Sequence, residues 1–337
     1  MWNFLKALPI FVLVLAVFAV IIWFSGGTSY VDDVGIAEDQ IGMDLDSQRV
    51  DVGEVTLHVV FAGPEDGKPV ILMHGFPEFW FAWRHQIKPL AEAGYRVAVP
   101  DLRGYNRSDK PAGVKNYTQR KYAGDMLGLM DSQGWDSANI VAHDIGAGVA
   151  WRMIFEHPDR VMAAVIFSVG HPLAFQAVGN ESDVSWYRSF LKLPIMPELL
   201  MRTYGPTLIK NSLRDTSRPG TFSDDDLSVY EQVWDRDHAM DTMINAYRAE
   251  NPPIVNVTDD GQTPMPVKLI FGAKDAFISR SSAEASVDYL GAENVHIDED
   301  LSHWLLAEEP EAMAEMIIEF LDAINSTAEN GAPSPSP

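Results

Sequence analysis

The chain has no cysteine in its 337 residues. That excludes disulfides, a thiol nucleophile and any thiolate-held metal. Basic residues are scarce, with 25 Lys and Arg against 48 Asp and Glu and a formal net charge of −23. No basic cluster occurs, so nucleic acid is excluded as a partner. The surplus of acid reads as a solvated, self-repelling surface. No internal repeat appears either. Charged residues make up only 22% of the chain and hydrophobic ones 47%, which excludes disorder for most of its length. The apolar content suffices for one large core with an inserted lid, or for two small domains.

Long uncharged runs are also lacking, except one. Residues 8–24 carry no charge, and residues 5–24 extend the run past Lys6. As a helix the longer run spans roughly 30 Å, about one hydrocarbon core. No polar face interrupts it, which argues against a core helix. Lys6 suits the start of a secretory signal, but Trp23-Phe24-Ser25-Gly26-Gly27 offers no good cleavage site. Residues 1–30 are therefore read as a retained membrane anchor, with secretion after cleavage as the alternative. Lys6 precedes the span and Asp32, Asp33, Glu38 and Asp39 follow it, so the positive-inside bias puts the catalytic part on the extracytoplasmic side.

Residues 25–48 read as a linker. Beyond it, short apolar runs alternate with helix-like segments. Strands are expected at 50–52, 54–62, 70–73, 96–100, 138–142 and 161–169, and helices at 83–93, 117–133 and 146–156. The alternation stops at His171-Pro172 and resumes with strands at 267–272 and 295–297 and helices at 281–290 and 305–324. Such alternation indicates a mostly parallel sheet covered on both faces. The interruption is rich in Trp, Tyr, Phe, Met and Pro and reads as a helical lid. The expected organisation is a core at 31–171 and 264–325, a lid at 172–263, and a disordered Ser/Pro-rich tail at 326–337.

The most informative segment is Val141-Ala142-His143-Asp144-Ile145-Gly146-Ala147. A strand turning sharply into a helix, with small residues flanking one reactive side chain, resembles the nucleophile elbow of α/β-hydrolases. Here the reactive position holds Asp144 rather than Ser or Cys. A carboxylate displaces leaving groups at saturated carbon, and the ester it forms is then hydrolysed. The targets implied are strained or activated alkyl groups. Asp275 follows the strand at 267–272, and His303 follows the last strand. Nucleophile, acid and histidine thus occur in the chain order of the α/β-hydrolase triad, at carboxyl ends of parallel strands. The loop one strand earlier, Ser168-Val169-Gly170-His171, has no carboxylate, so Asp275 is the better candidate for the orienting acid. Asp298, Glu299 and Asp300 read as a solvated acidic loop, and His143, His171, Arg103 and Glu78 as structural polar groups. His74-Gly75-Phe76-Pro77 leaves another strand, and Gly75 lets the backbone approach the reacting centre. The amides of Phe76 and Ile145 are then placed to form an oxyanion hole.

These residues resemble the epoxide hydrolases of the α/β-hydrolase superfamily. The match runs through 74–78 with Trp80, Trp83 and Arg84, through Asp101-Leu102-Arg103-Gly104-Tyr105-Asn106-Arg107-Ser108, and through the Asp elbow. In the lid it runs through Ser185-Trp186-Tyr187 and Asn245-Ala246-Tyr247-Arg248, and it ends with the loops of Asp275 and His303. It covers about residues 48–325. Two positions depart from the pattern: Asn106, where Gly is usual, and Ile145, where relatives often carry Trp. Asn tolerates a positive φ, so the turn is expected to survive.

The resemblance implies an α/β-hydrolase fold and hydrolysis of a small apolar epoxide, with water as co-substrate and neither metal nor organic cofactor. It implies Asp144 as nucleophile, His303 and Asp275 as base and orienter, and Tyr187 and Tyr247 as lid donors to the epoxide oxygen, with Tyr204 in reserve. Trp80, Phe76, Trp304 and Phe277 are expected to line an apolar pocket. The alternative with the same nucleophile is a haloalkane or haloacid dehalogenase. Haloalkane dehalogenases hold the halide with side-chain donors where this chain has Ile145 and Phe76. The haloacid enzymes need arginines near the elbow, where Ile145 and Gly148 supply none. A third reading is a non-catalytic, membrane-tethered binding protein on the same fold.

Overall fold

A computed structural model describes residues 31–178, 186–258 and 260–331. The segment read as a membrane anchor lies outside these residues. Among the described residues no helix is long and apolar enough to cross a membrane.

Eight strands form one sheet: β1 (Asp46–Asp51), β2 (Thr56–Ala62), β3 (Lys68–Met73), β4 (Tyr95–Pro100), β5 (Ala138–His143), β6 (Val161–Phe167), β7 (Val267–Gly272) and β8 (Val295–Asp298). Their order is β1-β2-β4-β3-β5-β6-β7-β8. The pairs β1–β2 and β2–β4 are antiparallel and the rest are parallel. Strand β5 is buried along its whole length, which is why it reads as a continuous apolar run rather than an alternating one. From β3 the chain crosses to β4 on one side and then returns to β5 on the other. The carboxyl ends of β3 and β5 therefore flank a topological switch point, where ligands bind in open α/β sheets. The register pairs Met73 with Ala142, so the loops beginning at His74 and His143 leave the sheet side by side.

Helices α1 (Asp33–Ile41), α2 (Arg84–Glu92), α3 (Gln119–Gln133), α4 (Ile145–Glu156), α5 (Pro172–Val178), α6 (Trp186–Leu191), α7 (Met196–Thr216), α8 (Asp224–Trp234), α9 (Ala239–Arg248), α10 (Arg280–Leu290), α11 (Leu305–Glu308) and α12 (Pro310–Gly331) complete the chain. Helix α3 shows how the local sequence sets its ends. The Thr118 side chain accepts from the Lys121 amide at the start, and Gly134 closes the helix with φ 69°.

Two readings of the sequence are corrected here. The stretch taken as a linker contains α1, capped by the Asp32 side chain on the Gly35 amide and closed by Gly42 at φ 63°. Its burial of Asp33, Val34 and Ala37 stabilises a helix that composition alone does not announce. Helix α12 also runs to Gly331, across the first half of the stretch read as a disordered tail.

Helices α5 to α9 lie between β6 and β7 and cap the carboxyl end of the sheet. Helix α8 is fixed at its start by a capping box between Ser223 and Asp226. Several polar contacts pin this lid to the core. The Trp234 indole donates to the Pro77 carbonyl at 2.7 Å, Tyr230 donates to Glu78 at 3.0 Å, and Thr242 donates to the Gly104 carbonyl at 2.6 Å. The ion pair of Arg84 with Asp226, at 2.9 Å, is another.

Candidate active site

Asp144 stands between β5 and α4 with φ 50° and ψ −112°. A non-glycine residue held there is strained, and such strain persists only where the surroundings impose it. Gly75 and Gly146 make the fit possible. A Cβ on Gly75 would sit 2.4 Å from the Asp144 Cβ, and one on Gly146 would sit 2.5 Å from the Met73 carbonyl oxygen. The turn therefore brings the carboxylate against the loop after β3, where the Phe76 amide donates to Asp144 Oδ1 at 2.9 Å. Ile145 opens α4 beside it.

The other carboxylate oxygen faces His303. Asp144 Oδ2 lies 3.9 Å from His303 Nε2, and Asp275 Oδ2 lies 2.6 Å from His303 Nδ1. Asp275 Oδ1 accepts the amides of Phe277, at 2.7 Å, and Ile278, at 2.9 Å. Both oxygens of this fully buried carboxylate are thus satisfied, which removes the main penalty of burying it. Burial alone would lower the His303 pKa, but the charge and hydrogen bond of Asp275, with Asp144 beyond, outweigh it and hold the imidazole above its usual value.

A second layer holds this set. His143 Nε2 donates to the His303 carbonyl at 3.0 Å, and the two rings lie 4.5 Å apart. Glu78, which accepts from Tyr230, faces His143 Nδ1 at 3.4 Å. His74 donates from Nδ1 to the Gly75 carbonyl and accepts the Leu102 amide at Nε2. Burial lowers its pKa and keeps it neutral. Arg103, buried, forks onto Asp125. Asn106 takes φ 38° as expected, and it also donates to Asp101 at 2.8 Å and to Asp33 at 3.1 Å.

Two cavities meet at Asp144 and Tyr247. One, of about 510 Å³, is apolar: Phe76, Leu191, Met201, Leu213, Phe277 and Trp304 line it, with Tyr187 and His303. The other, of about 360 Å³, is more polar and holds Gln119, Ile145, Arg188, Lys192 and Asn251. Tyr187 and Tyr247 stand ring to ring at 6.0 Å, nearly perpendicular. Tyr247 also packs edge-on to Phe76 at 5.2 Å. Burial raises both phenols, and the Asp144 charge raises them further, so both keep their protons at neutral pH.

The structure brings Asp144, His303, Asp275, Phe76, Phe277, Trp304, Tyr187 and Tyr247 to one site, with Ile145 on its polar side. It does not bring Trp80 there. Trp80 is fully buried away from both cavities, its indole donating to Asp33 Oδ2 at 2.7 Å and its amide to Asp101 at 3.0 Å. Its partner Asp33 belongs to the helix the sequence reading took for a linker. Tyr204, the reserve donor, is 60% exposed and lines neither cavity. Arg188 was missed, although a cation beside a lid tyrosine was visible in the sequence.

A family model described as alpha/beta hydrolase fold matches residues 68–310. An AB hydrolase superfamily protein of Bacillus subtilis is 34% identical over 278 residues, covering 81% of this chain and 97% of that protein. A protein of Mus musculus named epoxide hydrolase 4 is 30% identical over 81% of this chain and 78% of its own length. Among solved structures, an epoxide hydrolase from Vigna radiata superposes with a TM-score of 0.70 at 28% identity, covering 83% of this chain and 98% of that one.

Proposed function

We propose that this chain, which belongs to the α/β-hydrolase superfamily, is an epoxide hydrolase working through a covalent ester on Asp144. The observation that carries the reading is a carboxylate nucleophile facing two protonated lid phenols in one apolar cavity with His303. The relatives named epoxide hydrolases support it.

Asp144 Oδ1 is held by the Phe76 amide, so Oδ2 attacks a ring carbon. The carbon–oxygen bond of the ring breaks, and its electron pair goes to the ring oxygen, which takes a proton from a lid tyrosine. His303 Nε2 then removes a proton from water, and the hydroxide attacks the ester carbonyl carbon. The oxyanion forms on Oδ1, stabilised by the amides of Phe76 and Ile145. Collapse breaks the acyl–oxygen bond, and His303 returns its proton to the departing alkoxide. Asp144 re-forms as an acid whose proton passes to the tyrosinate. One epoxide and one water leave as a vicinal diol.

A halide leaving group fits less well. Neither Phe76 nor Ile145 has a side-chain donor, and among the described residues the two indoles lining the cavities donate elsewhere, Trp304 to Thr216 and Trp151 to the Val169 carbonyl. The apolar lining favours apolar epoxides. The uncharged run of residues 5–24 would tether the enzyme to a membrane with its catalytic part outside the cytoplasm, a topology that protease protection of intact cells tests.

The deciding experiment gives the full chain styrene oxide, a wider epoxide panel and chloroalkanes, in water labelled with heavy oxygen. Diol should form, unlabelled in the first turnover, with the label entering the Asp144 carboxylate. Label in the first diol, or chloride release without diol, would overturn the reading.

A further inference from the structure

Arg188 follows Tyr187 on α6 and lines the polar cavity beside Asp144. Its guanidinium lies 5.6 Å over the Phe175 ring and 5.8 Å over that of Tyr187. Its Nε donates to the Tyr187 hydroxyl oxygen at 3.2 Å. Among the described residues no carboxylate lies within ion-pair distance of it, in a chain with nearly twice as many acids as bases. The hydrogen bond of this half-buried cation goes to a phenol, and Asp144, beyond ion-pair distance, still favours its charged form.

A guanidinium has only donors. The Tyr187 oxygen therefore accepts from Arg188, and its own proton has to point away from the guanidinium. Tyr187 and Asp144 line the same apolar cavity. Tyr247 has no such constraint. Its ring packs against Phe76 and Tyr187, and its hydroxyl makes no hydrogen bond among the described residues.

We propose that Arg188 is a positioning residue that makes Tyr187, rather than Tyr247, the first proton donor to the opening ring. The inference rests on the epoxide reading of the site. When the proton leaves Tyr187, the phenolate that forms is already hydrogen-bonded to a fixed cation, an interaction stronger in the transition state than in the ground state. The charged and titratable groups around Tyr187 are Asp144 on the elbow, Asp275 and His303 on the two late loops, Tyr247 on α9, and Arg188 and Lys192 on its own side of the lid. Burial and the two carboxylates push the Tyr187 phenol up, and Arg188 works against them. For Tyr247 burial and Asp144 act with less relief. Tyr187 is then the stronger acid of the pair, and Tyr247 orients the ring oxygen.

The test measures the single-turnover rate of ester formation on a neutral epoxide, as a function of pH, with the full chain. Arg188→Met should slow ester formation about tenfold, one pKa unit of lost acidity. It should also move the alkaline edge of the rate to higher pH, because Tyr187 holds its proton longer without the cation. Arg188→Lys should restore part of the rate. In a Tyr187→Phe background Arg188→Met should cost nothing further, whereas in a Tyr247→Phe background it should keep its full effect. An unmoved alkaline edge, or equal loss in both backgrounds, would overturn the assignment. So would an Arg188→Met defect confined to the KM of anionic epoxides, which would make Arg188 a substrate contact. If the unmodified chain makes no diol from any epoxide, the reading of the site fails instead; diol formation with a flat cycle removes the role of Arg188 alone.

Discussion

Replacing Asp275 by Asn separates the two chemical steps. The side chain keeps its shape, but its orientation is dictated by the loop. Asp275 Oδ1 accepts two amides, from Phe277 and Ile278, and only the carboxamide oxygen can take that place. The amide nitrogen then faces His303 Nδ1 across the present 2.6 Å contact. A donor there demands a lone pair on Nδ1, so the imidazole proton shifts to Nε2. In that tautomer Nε2 cannot accept a proton from water. A wrong tautomer of this kind in a Ser-His-Asp protease costs about 10⁴ in rate, or ~5 kcal/mol. Ester formation needs no base at His303, since Asp144 attacks as the carboxylate and the proton comes from the lid. Hydrolysis should therefore slow about 10³- to 10⁴-fold while ester formation changes by less than about tenfold, the larger loss falling on the step that uses the base. Rapid mixing followed by intact-protein mass spectrometry should show one equivalent of substrate on the protein. If ester formation falls as far as turnover, or no adduct builds up, the division of labour between Asp144 and His303 is wrong.

Two other perturbations read different parts of the structure. His303 is held above its usual value of 6.5 in the free enzyme, where Asp144 is charged, and it works only when neutral, so ester hydrolysis should rise with pH; an NMR titration of the free enzyme's imidazole should show a limb above 6.5, and a limb below that value would contradict the dominance of Asp275 and Asp144 over burial. The stability contribution runs the other way: it is fully present below the unfolded-state value and is lost as pH climbs through the folded one, which urea melts on either side of the limb should show, with Asp275→Asn abolishing the difference. Trp80→Phe removes the indole bond to Asp33 and should cost about 1–3 kcal/mol of stability, seen as a lower Tm, with KM little changed because Trp80 lines neither cavity; a raised KM for bulky epoxides at unchanged Tm would restore Trp80 to the cavity wall.

Asp144, Asp275 and His303 were legible as a set because each stands just past an apolar run, and in this fold the ends of parallel strands converge. Composition, spacing and chain order were enough to bring Asp144, Asp275 and His303 together. The two clearest errors share one cause. Residues 33–41 carry too few apolar side chains to announce a helix, so α1 went unseen and Asp33 with it. Trp80, deprived of its buried partner, then looked like an aromatic free to line a pocket. Asn106 suffered the same loss: its positive φ followed from its chemistry, but not its bond to Asp33, whose role depends on a contact 73 residues distant. Arg188 was hidden differently. One cation among several in a lid has no pattern, and its meaning lies in one hydrogen bond to the neighbouring phenol.

Asp33 explains why such a distant helix bears on catalysis. It is fully buried and gathers Trp80, Asn106 and Arg107 around one carboxylate. Trp80 and Asn106 in turn both donate to Asp101. The loop that starts at Asp101 is tied to the neighbouring strand end through the Leu102 amide on His74, and His74 holds the Gly75 carbonyl. One residue further on is the Phe76 amide, the donor that fixes Asp144 Oδ1. In the proposed mechanism this hydrogen bond selects one carboxylate oxygen as future oxyanion and leaves the other as nucleophile, which needs a backbone that does not drift. The strained Asp144 turn cannot supply that rigidity alone, because strain pushes towards relaxation. The buried polar network running from α1 through Asp101 to His74 opposes it, so the departure of Asn106 from glycine adds a tie to the loop that positions the reaction.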